Sequence, residues 1–165
     1  MAKICWRIGN VVLFVSHKNT KKAKTQKGGV MKARIEEVAK IVGDCGYHIH
    51  RRLGPGLFES VYESILAHSL SDRGLKVERQ KPVEIKYDEM VFSEGFRADI
   101  LVEDCLLLEL KSVEALNPVH RRQLLTYLRL MNLPLGLLMN FGAATYGSAV
   151  QRVISGLDHQ DAEKN

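Results

Sequence analysis

Long apolar runs are missing from this 165-residue sequence. Stretches such as Val11–Val15 fall far short of the roughly 20 residues that a helix needs to cross a bilayer. Cysteine is scarce and badly placed for pairing. Cys5, Cys45 and Cys105 form an odd, scattered set without a C-x-x-C pair. That argues against a disulfide framework or a zinc site and fits a reducing cytoplasm. Cys105 lies in an apolar run, where a buried, inert thiol is expected. The single tryptophan, Trp6, stands near the N-terminus, so base stacking on tryptophan has no basis in the body of the chain. Acidic residues are absent from positions 1–30, which carry Lys3, Arg7, Lys18, Lys21, Lys22, Lys24 and Lys27. With those seven set aside, 17 basic residues face 19 acidic ones, a net of −2. The formal charge of +5 therefore belongs to the N-terminal segment, and it says nothing direct about the domain's own surface.

What remains is ordinary globular composition, 45% hydrophobic and 26% charged, enough for one domain with a real core. Lys3 and Arg7 before Val11–Val15 faintly resemble a signal peptide, but the stretch is short and no small-residue cleavage site follows it. Met31 opens a regular helical pattern, which makes it an alternative start. Residues 1–30 are accordingly expected to be a basic, disordered extension, residues 31–158 the domain, and 159–165 a C-terminal tail.

From Met31, Ile35, Val38, Ile41 and Val42 recur at helical spacing, and Gly54-Pro55-Gly56 stops the pattern after Leu53. A second helix starts near Leu57, with Val61, Ile65, Leu66 and Leu70 as its apolar stripe and Gly74 as its stop. Strands follow over 77–87, turned back at Asp88-Glu89, then over 96–102 and 105–113. Leu106-Leu107-Leu108 indicates burial on both faces of a central strand. Asn117-Pro118 starts a helix as N-cap and first helical residue, and Leu133-Pro134 breaks it. Residues 135–141 read as a last strand, and Val150, Val153, Ile154 and Leu157 as a final helix. The fold class is α/β, a mixed central sheet flanked by helices.

Glu109 and Lys111 interrupt the most apolar strand. Two residues apart, they point to the same face. Burying either charge is costly unless it is paired or binds an ion. Asp99 intrudes similarly on the preceding strand. If Glu103-Asp104-Cys105 is a three-residue loop, Val102 pairs with Leu106 and Asp99 comes opposite Glu109. A two-residue loop would send the carboxylates to opposite faces. Two carboxylates on one face repel each other, and a hard divalent cation removes the repulsion; Mg²⁺ typically takes one or two carboxylates, with water and phosphate completing its shell. Lys111 would then orient a water or neutralise developing charge. On this spacing alone, a buried ion pair serving only stability is an equal alternative. Glu59, near a helix N-terminus, is either a third carboxylate or a complement to the helix dipole. Gln123 and Tyr127, four apart, share a helix face and either reach the site or lie on a solvated edge. His48, His50, Arg51 and Arg52 form a basic cluster, read first as a solvated helix end and second as a phosphate contact.

Taken together, these residues resemble a known pattern. Gly56-Leu57-Phe58-Glu59-Ser60-Val61-Tyr62 is similar to the signature of the GxxExxY family of the PD-(D/E)xK nuclease superfamily. The resemblance continues through 94–99, 108–111, 123–127 and 140–142. It implies a restriction-endonuclease-like core, Asp99 and Glu109 as metal ligands, Glu59 as the helix glutamate and further ligand, and Lys111 as the catalytic lysine. It also implies Gln123 and Tyr127 as the Q-x-x-x-Y pair that positions substrate. The residue before Asp99 is Ala98 rather than proline, a variation the superfamily tolerates. The implied function is a Mg²⁺- or Mn²⁺-dependent nuclease acting on DNA ahead of RNA, with homodimerisation left open and no membrane partner. The alternative is a catalytically inactive module of the same fold that binds nucleic acid or a protein.

Overall fold

The computed structural model describes the backbone at Arg7–Ile8, Val11–Val12 and residues 20–156, and side chains over residues 29–156. The chain divides into two units, Met1–Lys32 and Ala33–Asn165. The first holds a two-stranded antiparallel pairing of β1 (Arg7–Ile8) with β2 (Val11–Val12). The rest of the expected extension lies outside the described residues up to Thr20, where helix α1 (Thr20–Leu53) begins. The C-terminal tail lies outside them too.

The second unit follows the expected order until its last element. After α1 come α2 (Glu59–Ser71), β3 (Val77–Tyr87), β4 (Met90–Val102), β5 (Leu106–Lys111), α3 (Pro118–Leu130), β6 (Leu135–Asn140) and β7 (Val150–Ile154), with a 3-10 turn at Tyr146–Ser148 before β7. The five strands form one sheet in the order β3-β4-β5-β6-β7. Only β5 and β6 are parallel, and α3 is the crossover between them.

Strand alternation sorts the core into two layers. Ile100, Val102, Leu106, Leu108 and Leu110 pack with Val38, Val42 and Ile49 of α1 and Leu66 and Leu70 of α2. Leu101, Leu107 and Leu138 face Leu124 and Leu128 of α3. β5 is covered on both sides, as its unbroken leucines require. β3 is the sheet's edge, and Pro82, Lys81 and Glu78 on it discourage pairing with a further strand. Asn117 caps α3 by accepting from the Val119 N–H, and Pro118 occupies the first turn.

Val150–Ile154 is a strand, not the helix that its spacing predicts; Leu157 lies outside the described residues. Four apolar positions within eight residues do not separate the two periods. Tertiary context decides. Residues three apart point to opposite faces of a strand, which puts half-buried Val150 against the α1 layer and fully buried Val153 against α3. β-branched residues suit the position, and β7 closes the otherwise open edge of β6.

Gly142, just after β6, lies against the chain that follows Lys111. A Cβ there would stand 2.5 Å from the Val113 carbonyl oxygen and 2.6 Å from its nitrogen. Backbone atoms cannot move aside as a side-chain tip can. Gly142→Ala is therefore expected to cost about 1–3 kcal/mol by overpacking. Thermal denaturation checks this, with a fall in Tm of several degrees expected.

Candidate active site

The site forms where β4 leaves β5. Val102 pairs with Leu106, Leu101 with Leu107 and Ile100 with Leu108, the register that the three-residue loop predicts. Glu103 and Asp104 make that loop with φ of 52° and 54°. The ladder stops one step later. Instead of pairing through its backbone, Asp99 turns its side chain to β5, and its Oδ2 accepts the Leu110 N–H at 2.8 Å. The alternation of β4 also breaks here. Phe96 and Ala98 belong to the α3 layer, whereas Ile100 and Val102 belong to the other. Opposite the break, Gln80 of β3 has φ 48° and drops out of the register that pairs Arg79 with Ile100 and Lys81 with Ala98. The irregularity lets the Asp99 carboxylate, half-buried, reach across to β5.

On β5, Glu109 is 3% exposed, and Lys111 donates to its Oε1 at 2.6 Å. Oε2 of Glu109 is buried with no hydrogen-bond partner. A carboxylate oxygen in that state is costly by itself and is the kind of donor a cation would complete. Burial raises the Glu109 pKa, the charge of Asp99 raises it further, and Lys111 opposes both. Asp99 is raised by burial, against the Leu110 N–H and Lys111; the charges of Glu63 and Glu59 add to the rise. For Lys111 burial acts downward, but the hydrogen bond and charge of Glu109, then Asp99 and Glu59, outweigh it and hold the ammonium above the ordinary lysine value.

Glu59 is the first residue of α2 and exposed. Its Oε1 accepts the Ser112 N–H at 3.0 Å, which ties the helix start to the residue after Lys111. The Ser112 hydroxyl donates to the Leu57 carbonyl at 2.7 Å. Tyr62 is fully buried, stacked on Phe141, and donates to the Gly54 carbonyl at 2.5 Å while accepting the Leu57 N–H at 3.3 Å. Gly56 at φ 115° supplies the turn between them. The residues of the 56–62 segment thus divide the work. The glycine turns the chain, the glutamate reaches the β5 end and the tyrosine holds the turn. An open cleft of about 490 Å³ lies beside them, lined by Leu57, Phe58, Glu59, Ser60 and Ser112.

Gln123 and Tyr127 are brought together, Nε2 donating to Oη at 2.7 Å. Tyr127 stacks on Phe96, three residues before Asp99, with ring centroids 3.7 Å apart. No hydrogen bond joins the pair to Lys111 or to either carboxylate among the described residues. The basic cluster does not hold together: His50 is buried and bonded to the Ala143 carbonyl at 2.8 Å, while His48, Arg51 and Arg52 are exposed.

Sequence reasoning missed two polar neighbours. Glu63 is buried, paired with Arg79 at 2.8 Å and held by Gln80 Nε2 at 2.7 Å; the same Gln80 amide stands 3.5 Å from Asp99 Oδ1. Glu63 lies four residues from Glu59 on the face that carries buried Tyr62 and Leu66, and a charge at that position was the available signal. Asn140, at the end of β6, accepts the N–H groups of Val113 and Gly142 and donates to the Val113 carbonyl.

These observations bear on metal binding. Among the described residues no three His, Cys, Asp or Glu side chains gather as a ligand cluster. Asp99 and Glu109, with the orphan Oε2, make a two-carboxylate donor set of the kind that suits a hard divalent cation completed by water and phosphate. The residues present fit such an ion.

A mixed sheet between helices, with an aspartate inside one central strand and an E-x-K on the next, marks a nuclease-type scaffold. The chain belongs to the PD-(D/E)XK nuclease superfamily, whose family model matches residues 36–153. No curated protein and no solved structure matches it. No helix among the described residues is long and apolar enough to cross a membrane.

The raised carboxyls carry a sign. The folded state holds their protons more tightly than the unfolded chain, so their contribution to stability is present at low pH and is lost as pH rises through the raised folded values. In metal-free protein the site itself should therefore cost Tm as pH climbs above about 4. Asp99→Asn can still accept the Leu110 N–H but removes one charge. It is expected to flatten that loss, raise the metal-free Tm at pH 7 by a few degrees, and abolish any rise in Tm on adding Mg²⁺ or Mn²⁺. Scanning calorimetry of both proteins in EDTA and in metal checks all three. A purely stabilising ion pair would instead make Asp99→Asn less stable.

Proposed function

We propose that the chain is a divalent-metal-dependent nuclease of the GxxExxY group that hydrolyses phosphodiester bonds, in DNA ahead of RNA. The observation that carries this reading is the buried, unpartnered Oε2 of Glu109 beside the Asp99 carboxylate and the Lys111 ammonium.

Asp99 and Glu109 would hold Mg²⁺ or Mn²⁺, with Glu59 as a further ligand or as the group that positions water. Bound there, such an ion lowers the pKa of a coordinated water and offsets negative charge on the reacting phosphate. Lys111 has a narrower role. It donates to Glu109 Oε1 at 2.6 Å and so enters as a hydrogen-bond donor. It is therefore suited to orienting the attacking water and stabilising charge in the transition state. Its backbone is fixed in place for this role. The Lys111 carbonyl accepts the Phe141 N–H at 2.8 Å, and Ser112 and Val113 are bonded to Glu59 and Asn140. Gln123 and Tyr127 would position substrate from the α3 side, through the stack of Tyr127 on Phe96.

Plasmid, linear duplex and single-stranded DNA, with RNA as comparison, are the substrates for the test, each with Mn²⁺, Mg²⁺ or EDTA. Metal-dependent cleavage is expected, reduced about 100-fold or more in Lys111→Ala and in Asp99→Asn. Cleavage that survives EDTA, or that is unchanged in both variants, would sink the reading.

A further inference from the structure

Phe58, next to Glu59 in sequence, has nothing over it. Its side chain is 83% exposed, and it lines the same cleft as Glu59 and Ser112. It also occupies the N-cap of α2, with no side-chain hydrogen bond to the helix. That position favours Ser, Thr, Asp or Asn, whose oxygen would satisfy a free backbone N–H. An exposed aromatic there forgoes cap stability and gains no burial. Its backbone is nevertheless well placed, because the Phe58 carbonyl accepts from Val61 and Tyr62 and the neighbouring Leu57 is bonded to Ser112 and Tyr62. The ring is thus carried on a fixed support, one residue from Glu59, beside a cleft that Ser112, the residue after Lys111, also lines.

We propose that Phe58 is a base-stacking residue, and that the cleft beside it takes an unpaired nucleotide next to the phosphate that meets Lys111. This rests on the nuclease reading and narrows its substrate to nucleic acid with a single-stranded segment at the cut: a free strand, a flap or a frayed end. A paired base is already stacked on both sides and offers no open face. An unpaired base does, and stacking on one aromatic ring accepts any base.

The test uses the full chain in EDTA with a single-stranded oligodeoxynucleotide carrying 2-aminopurine, whose fluorescence is quenched on stacking, and a closed duplex with hairpin ends. Phe58→Ala should weaken binding to the single strand about tenfold and remove the quenching. Phe58→Trp should keep both, and Phe58→Leu should restore neither. Closed-duplex binding and Tm should hardly change, since the ring is exposed. Alanine or leucine variants that bind and quench like the parent overturn the proposal, as does an equal loss on the closed duplex. Cleavage in Mn²⁺ separates the two readings. A parent that cuts, with Phe58→Ala unchanged in binding and KM, rejects the stacking role alone. Binding and quenching that depend on Phe58 without any cleavage reject the nuclease alone. Neither binding nor cleavage rejects both.

Discussion

The hydrogen bond from the Leu110 N–H to the Asp99 carboxylate is the contact on which the site depends. A backbone donor on a central strand must be satisfied, and in an uninterrupted sheet a neighbouring carbonyl would do so. Here a charged side chain takes that place. The substitution ends the β4–β5 ladder and brings one carboxylate to within electrostatic reach of a second, Glu109. It also frees the β3–β4 ribbon to continue without β5. Charge concentration and strand separation have one local cause.

Concentrated charge in a half-buried place must be offset. The protein does this unevenly. Lys111 neutralises one oxygen of Glu109 and leaves the other bare. Arg79 pairs with Glu63 and Gln80 donates to it, and the remaining charge of Glu63 still adds to the rise in the Asp99 pKa. Three carboxylates are thus graded: Glu63 fully paired, Glu59 bound to one backbone N–H at the surface, and Glu109 half satisfied in the interior. Of the two buried ones, only Glu109 keeps an oxygen without a partner, and that is where a cation would gain most.

Much of this was readable from residue order alone. The three-residue loop was readable and gives the observed pairing of Val102 with Leu106, but the expected pairing of Asp99 with Glu109 is replaced by the Asp99 bond to the Leu110 N–H. The apolar run around Glu109 and Lys111 announces a central strand because nothing polar is tolerated there without a reason. What could not be read were features that depend on distant partners. Val150–Ile154 is a strand because β6 has an open edge, a fact held in the sheet and not in the segment. Glu63 received no reading from the sequence, because its partners Arg79 and Gln80 come from β3. Gln80 at φ 48° carries no composition signal at all, since most residues with that conformation are glycine or asparagine. His50 appeared basic and exposed beside two arginines, and it is neither free nor on the surface.

Asn140 has a consequence of its own. Its amide oxygen meets the Val113 and Gly142 N–H groups while its amide nitrogen meets the Val113 carbonyl, so the side chain acts as a peptide unit turned sideways. Aspartate has the same outline but no hydrogen to donate, and it would add a further negative charge near a centre already rich in them. The two residues, interchangeable in size, are here opposites in function. The position selects for an amide by the polarity of a single atom, and the strand end that carries Lys111 inherits its fixity from that choice.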